Sequence, residues 1–316
     1  MQKPVNLNAV IPTELAGKRL DQALARMFTE HSRSRLQAWI KGGLVSVNNQ
    51  TVNQRKPVRG GEYIEIRASY ETQENWSAED IPIDIVYEDE ALMIINKPPG
   101  LVVHPGAGNR GQTLLNALLH HDPGLEIVPR AGIIQRLDKD TSGIMVVART
   151  PECHNRLVAD LQARTIKREY QAIVNGVMTA GGTIDKPIGR HPRKRTQMAV
   201  VEHGKPAITH YRIVKKFSHH THIWIQLETG RTHQIRVHMA SLKHPLVGDP
   251  VYAGRAKVPK QISDDLLARL RAFPRQALHA CALSLTHPLS QETVVFEIPL
   301  PEDMQALISA LRADEA

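Results

Sequence analysis

Residues 131–150 read AGIIQRLDKDTSGIMVVART, and within them Arg136, Asp138 and Asp140 crowd into one short polar turn. Apolar residues flank it, Ile133–Ile134 before and Ile144 to Ala148 after, so the turn is expected to join two buried strands. A carboxylate fixed in such a turn is rigidly placed yet open to a cleft, where catalytic groups belong. Asp138, Asp140, Ser142 and Gly143 match the opening positions of an EF-hand loop, but its closing glutamate position is Arg149, a cation where a bidentate ligand is required. That excludes calcium. Asp138-Lys-Asp140-Thr141 approximates the Asp-x-Asp-x-Thr pattern of aspartyl-phosphate phosphatases. There the nucleophile directly follows an apolar strand and further acids hold magnesium. Here Gln135-Arg136 intervene, and Gly248-Asp249-Pro250 supplies a single acid. What remains is a lone working carboxylate, whose chemistry the rest of the chain must define.

Other apparent sites are weaker still. Gly106-Ala-Gly108-Asn-Arg-Gly111 has the form of a dinucleotide loop, yet Pro105 stands where a strand should run into the first glycine. A flexible loop over a cleft explains the same glycines. His219, His220 and His222 lack acid or cysteine partners nearby, and His233 and His238 miss the helical spacing of a zinc pair, so all read as surface or core histidines. The only cysteines, Cys153 and Cys281, have no metal-ligand spacing and form no disulfide framework. No metal and no cofactor is expected.

The elements that must position Asp138 follow from charge and periodicity. At 316 residues, 41% hydrophobic and 23% charged, the chain has ordinary globular composition and length for two or more domains. Its formal charge of +8 calls for an anionic partner, most commonly nucleic acid. From Lys18 to Arg67 basic residues dominate: Lys18, Arg19, Arg26, Arg33, Arg35, Lys41, Arg55, Lys56, Arg59 and Arg67 face only Asp21, Glu30, Glu62 and Glu65. From Ala68 to Asn96 no Lys or Arg occurs, and acids prevail. The sign change predicts a boundary, with residues 1–76 as one domain, 77–82 as a linker and 83–316 as a second domain. In the first, Leu20, Leu24, Met27 and Phe28 have helical spacing, as do Leu36, Trp39 and Ile40 after a start signal at Ser32/Ser34. Strands are expected at 44–48 and 63–67, and the helix arginines on exposed faces. In the second, strands at 85–87, 92–95, 169–174, 209–214 and 221–227 alternate irregularly with helices at 112–121 and 234–242. The fold class is therefore α+β, with a mixed, mainly antiparallel sheet. The N-terminus carries no signal-peptide core and no run is long enough to span a membrane, so a cytoplasmic location is expected.

Arg19-Leu-Asp-Gln-Ala-Leu24, Ser32-Arg-Ser-Arg35 and Gly43-Leu-Val-Ser-Val-Asn-Asn49 resemble an S4 RNA-binding domain. That resemblance implies that Arg19, Arg33, Arg35 and Lys41 grip structured RNA through shape and phosphates. Arg136-Leu-Asp138-Lys-Asp-Thr-Ser-Gly143 resembles the catalytic motif of the RluA-type pseudouridine synthases. Asn96-Lys-Pro-Pro-Gly-Leu101, Val103-His-Pro105, Lys167-Arg-Glu-Tyr170, Glu228-Thr-Gly-Arg-Thr-His-Gln-Ile-Arg-Val-His238 and His244-Pro-Leu-Val-Gly-Asp249 are similar to segments of the same family, in its order. The resemblance covers nearly the whole chain.

It implies an rRNA-modifying isomerase that detaches uracil, turns it and reattaches it through carbon, with no cofactor. Asp138 would be the nucleophile on the sugar or the base that generates a glycal. Arg236 would be its basic partner, and Tyr170 the aromatic that stacks on the target base or relays a proton. Arg136 would fill the gap left by the flipped base, where a planar guanidinium can stack. Arg190, Arg193, Lys194 and Arg195, on a predicted loop at 186–195, and Arg231 would contact RNA. Gln135 departs from the histidine usual before Arg-Leu-Asp in the family, so an RNA contact by that histidine is not expected. Asp140 is expected to hold the turn. The partner is large-subunit rRNA, free or in an assembling subunit, with no membrane and a monomeric enzyme. The competing class is a non-catalytic RNA-binding or ribosome-assembly factor, which would share every basic patch and differ at one carboxylate.

Overall fold

The computed structural model describes residues 4–29, 31, 33–69, 76–106, 109–194, 196–254 and 262–315. The N-terminal unit is a four-stranded antiparallel sheet in the order β1-β4-β2-β3, formed by β1 (Pro4–Val10), β2 (Val45–Val47), β3 (Gln50–Thr51) and β4 (Tyr63–Ser69). Helices α1 (Leu20–Met27) and α2 (Arg33–Lys41) cover it. Leu20, Leu24, Leu36, Trp39 and Ile40 bury against Val45, Ile64 and Ile66 in a separate core, as their helical and alternating spacings require. Strand β1 lies outside the expected pattern, although Val5, Leu7 and Ala9 alternate with Asn6 and Asn8. The start signal at Ser32 falls outside the described residues.

The larger unit is built on a nine-stranded sheet in the order β5-β6-β7-β14-β8-β13-β12-β9, with β15 added on β14. Its strands are β5 (Asp84–Glu88), β6 (Leu92–Lys97), β7 (Ser142–Ala148), β8 (Lys167–Asn175), β9 (Gly182–Asp185), β12 (Ile208–Lys216), β13 (His220–Leu227), β14 (Leu278–Thr286) and β15 (Thr293–Glu297). A separate two-stranded ribbon pairs β10 (Ile188–Arg190) with β11 (Met198–Val200). Every pairing is antiparallel except β7 with β14, so the α+β class with a mixed, mainly antiparallel sheet holds. The flanking helices are α3 (Leu114–His121), α4 (Pro151–Ala163), α5 (Gln234–Ser241), α6 (Asp264–Ala272) and α7 (Glu302–Ala313).

The central strand β7 is buried from end to end, which is why residues 142–148 read as an unbroken apolar and small run. The strand expected at Ile133–Ile134 does not form. A 3-10 turn, Pro129–Gly132, leads into that stretch with Arg130 and Ala131 at positive φ, and Ile133 makes only an isolated bridge to Val147. Arg130 and Ala131 turn the chain too sharply for a ladder to start. The Asp138 turn therefore enters the sheet from a bent coil rather than from a strand.

Candidate active site

Asp138 precedes β7, and the turn that carries it is tied down on several sides. Thr141 N donates to Asp138 O at 3.0 Å, and Gly100 N donates to Lys139 O at 2.9 Å. Gln276 Nε2 donates to Thr141 Oγ1 at 2.9 Å, and Arg275 Nη1 donates to Asp140 O at 3.3 Å. Ser142 Oγ meets His279 Nδ1 at 2.9 Å. Beneath the turn lies Lys97, only 1% exposed. Its Nζ donates to Pro98 O (2.7 Å), Leu101 O (2.9 Å) and Lys139 O (2.9 Å), one carbonyl for each ammonium proton. Burial pulls the Lys97 pKa down to about 7, while the charges of Asp140 and Asp138 oppose the fall. Asp140 contributes its backbone carbonyl to Arg275, a contact any residue there could make, and its charge opposes the fall in the Lys97 pKa.

Strand register places Tyr170 relative to this turn. Lys97 pairs with Gly143, Gly143 with Ala280, and Ala280 with Tyr170, in one row across β6, β7, β14 and β8. Two strand spacings put Tyr170 about 10 Å from Gly143 along that row. Tyr170 is buried at 7% exposure within the main core. Burial raises its phenol pKa, Arg168 pulls it back and the Asp138 charge adds to the rise. The phenol therefore keeps its proton at neutral pH.

Arg236 comes from α5, and the loop before that helix is locked by Gln234. Its Oε1 accepts from Thr229 Oγ1 (2.8 Å) and Arg231 N (3.0 Å), while its Nε2 donates to Ile208 O and Thr209 Oγ1 (both 2.9 Å). Arg236 Nη1 then donates to Asp138 Oδ2 at 3.0 Å. The remaining face of the guanidinium is taken by Asp249: Nε to Oδ2 at 2.7 Å and Nη2 to Oδ1 at 2.9 Å. Burial alone would raise the Asp249 pKa, but these two bonds, the Arg236 charge and the Val251 and Tyr252 amides outweigh it and lower it. For Arg236, burial disfavours the charge, and the bonds to Asp249 and Asp138 overcome it, so its pKa is raised. The Tyr252 ring lies 5.0 Å from the Arg236 guanidinium carbon. His233 Nε2 sits 3.8 Å from Asp138 Oδ1.

Asp138, Arg236 and Tyr170 are thus gathered at one end of the sheet, and exposed Arg136 is close enough for its charge to act on His233. The residue pattern gives no role to Asp249, His233, Tyr252 or Lys97. Asp249, His233 and Lys97 lie inside the segments similar to the family, and only contact geometry separates them from their neighbours. His233, expected as a surface or core histidine, lies beside the carboxylate.

The expected RNA contacts divide. Arg19 and Arg33 both reach the fully buried Asp21, and keep side-chain exposures of 39% and 47%. Burial would raise the Asp21 pKa, but hydrogen bonds from Arg33, Gln37 and Arg19 lower it. Lys41 is exposed. Arg35 is not on an exposed face: it is 5% exposed and donates to Ile127 O at 3.2 Å. Helix α2 turns that side chain toward the larger unit, so Arg35 joins the two units instead of facing solvent. Residues 186–195 are not a plain loop either, because Arg190 ends β10 and Arg193 and Lys194 lie in the turn toward β11, all exposed. Pairing of Ile188–Arg190 with Met198–Val200 supplies the ladder that makes this a hairpin. Arg195 lies outside the described residues. Arg231 Nε donates to Pro206 O at 3.0 Å. Among the described residues no cluster of His, Cys, Asp or Glu could hold a metal ion, and no helix is long and apolar enough to cross a membrane.

A buried arginine–aspartate pair thus fixes the carboxylate of the Asp138 turn, on a mixed sheet preceded by a small basic unit. The chain belongs to the RNA pseudouridylate synthase family: that family's profile matches residues 91–241, and the S4 domain profile matches residues 18–64. Its relatives include ribosomal large subunit pseudouridine synthase D of Pseudomonas aeruginosa, 54% identical over 314 residues, spanning 99% of this chain and 98% of that one. The protein of the same description from Escherichia coli is 55% identical over 315 residues, spanning 99% and 97%. Among solved structures, human RNA pseudouridylate synthase domain containing 4 superposes with a TM-score of 0.57 at 27% identity, covering 72% of this chain and 93% of that chain.

Proposed function

We propose that this chain converts uridines of large-subunit rRNA to pseudouridine, with Asp138 as the catalytic carboxylate, Arg236 as its basic partner and Tyr170 as the aromatic against the target base. The observation that carries this reading is the 3.0 Å bond from Arg236 Nη1 to Asp138 Oδ2, with the rest of the guanidinium already committed to Asp249. An arginine so placed serves one purpose at Asp138, which is to fix a carboxylate in a chosen direction. The reaction breaks the bond from ribose C1′ to N1 of uracil and forms one from C1′ to C5. C5 gives up a proton, N1 gains one, and nothing is left over. Asp138 either attacks C1′ or takes a sugar proton to give a glycal; its place beside Arg236 supports both routes.

A uridine within folded RNA must leave its stack to reach the carboxylate, and exposed Arg136, two residues away in the chain, is suited to occupy the space behind it. The neutral Tyr170 phenol supports a stacking surface that can also donate a proton. Arg19, Arg33 and Lys41 on the N-terminal domain, proposed to span residues 1–76, and Arg190, Arg193, Lys194, Arg195 and Arg231 near the catalytic unit, would hold phosphates. The enzyme would work in the cytoplasm as a monomer, on free rRNA or an assembling subunit. The test is to incubate the purified protein, without additives, with large-subunit rRNA from cells lacking its gene and to map pseudouridines. New pseudouridine at defined positions is expected; RNA binding with no conversion would favour a non-catalytic assembly factor.

A further inference from the structure

Arg236 accounts for one oxygen of the Asp138 carboxylate, and the other faces His233. The His233 side chain is 22% exposed and that of Asp138 16%, so both are sheltered yet reachable. On its far side, His233 Nδ1 lies 2.7 Å from the Tyr252 hydroxyl. That hydroxyl oxygen accepts from Met198 N at 3.0 Å, at the start of β11. With its oxygen engaged by an amide donor, the hydroxyl is free to point its own proton at Nδ1, which leaves the imidazole proton on Nε2. The opposite tautomer would aim a bare nitrogen lone pair at a carboxylate oxygen. Electrostatics therefore selects the Nε2–H form.

We propose that His233 is a positioning residue for Asp138: its Nε2–H, set by Tyr252 from behind, holds Oδ1 while Arg236 holds Oδ2. This rests on the catalytic reading of Asp138. At 3.8 Å the contact is wider than a hydrogen bond, and a movement of about 1 Å on substrate binding closes it, as happens in many active sites. The relay also ties the carboxylate to the hairpin that carries Arg190, Arg193 and Lys194, since Met198 pairs with Arg190.

The backbone supports a role beyond starting a helix. His233 precedes α5 with φ 57° and ψ 23°, a left-handed conformation that asparagine or glycine adopts more readily than histidine. Its side chain makes no capping hydrogen bond to α5 and is directed instead to Tyr252 and Asp138. Burial lowers its pKa, Asp138 and Asp249 raise it, and Arg236 and Arg136 lower it further, with the net direction downward. At neutral pH the imidazole is thus an uncharged donor. In acid it takes a second proton and becomes a cation against Asp138, which blunts the carboxylate.

The two amide substitutions separate positioning from capping. His233→Asn suits the left-handed backbone but places its amide where Nδ1 was, whereas His233→Gln reaches the position of Nε2. Single-turnover conversion of rRNA is measured against pH, alongside RNA affinity and Tm. Misplacing a reacting group by about 1 Å costs up to ~100-fold in rate, so His233→Asn is expected to be slower by about 30-fold, His233→Gln to recover most of that loss, and Tyr252→Phe to be slowed about 10-fold. RNA affinity should stay within about twofold, and the acid limb of the wild-type profile should vanish in His233→Gln. Conversion by His233→Asn equal to or faster than by His233→Gln would show a capping role and overturn the proposal, as would wild-type rates in Tyr252→Phe. Tyr252→Phe keeps the ring beside Arg236, so it carries the test if the His233 variants lose structure. The wild type and Asp138→Asn run in parallel. No conversion by the wild type would defeat the underlying catalytic reading, whereas an active wild type makes any failure specific to His233.

Discussion

Asp249 supports the geometry at Asp138 from behind Arg236. It is fully buried and binds Arg236 through both oxygens, so removing its charge frees the guanidinium to turn away from Asp138. Asp249→Asn keeps the shape but replaces one acceptor with a donor facing an arginine. Conversion is expected to fall by about 10–100-fold through misplacement of Arg236 and Asp138, with RNA affinity nearly unchanged; unaltered turnover would show that Arg236 does not need its second partner. Asp138, Tyr170 and Arg236 are singled out by the sequence because motif letters in a fixed order point at them. Asp249 and His233 sit in similar motifs but are not singled out by them, because their contacts, with Arg236 across 13 residues of chain and with Asp138 across 95, exist only in the fold. Arg35 misleads for a related reason. Charge and helical spacing predict exposure, but an arginine can bury its stem and satisfy its head on a carbonyl, here Ile127 O.

At the scale of elements, the junction of β7 with β14 decides where the turn points. It is the one parallel pairing in the sheet among the described residues, and it is short, joining His279 to Ser142 and Ala280 to Gly143. Gly143 has φ 119°, and a Cβ there would stand 2.3 Å from Ala280 O, a backbone atom that cannot move aside. Gly143→Ala should therefore destabilise the protein by more than ~1 kcal/mol and cost activity with it, read as a lower urea midpoint beside the conversion rate. An unchanged midpoint would mean that this pairing is looser than the register implies. The β10–β11 hairpin makes a separate prediction. Arg193 and Lys194 are exposed at its turn, and replacing both with alanine should weaken RNA binding and reduce the slope of log affinity against log salt by about 1–2. Binding with the original slope would remove this turn from the RNA path. Periodicity predicts elements such as α1, α2, β8, β12 and β13, whose apolar residues repeat on a buried face, but it leaves α4, α6, α7, β14 and β15 unread. It fails at Ile133–Ile134, where two apolar residues fill the core from a bent coil, and at 186–195, where a short ladder hides among basic residues.

Across the whole molecule, the buried histidines link stability to pH. His154, His220, His222 and His279 each have a pKa lowered from 6.5 to about 4, with burial the leading cause in every case. Between those values the unfolded chain takes up protons that the folded chain refuses, so stability is lost as pH falls from about 6.5 toward 4. Tm is expected to be roughly 5 °C lower or more at pH 5 than at pH 7.5 in the same salt, and a flat profile would show that the histidines reach water in the native state. The charge excess of +8 and the reversal of sign after Arg67 make a basic N-terminal part legible from composition, and its resemblance to S4 domains is what points to RNA. How that part meets the rest is not legible, because the contact involves a buried arginine on a backbone carbonyl and the side chain of Ile127.

The carboxylate proposed as catalytic is what separates this enzyme from an RNA-binding factor, and Asp138→Asn removes its charge while keeping its size. Purified wild-type and variant proteins are compared for RNA affinity and for pseudouridine formed in large-subunit rRNA in a single turnover. The variant is expected to bind as the wild type does and to form no pseudouridine. Undiminished conversion by the variant would contradict the assignment of Asp138 as the catalytic carboxylate.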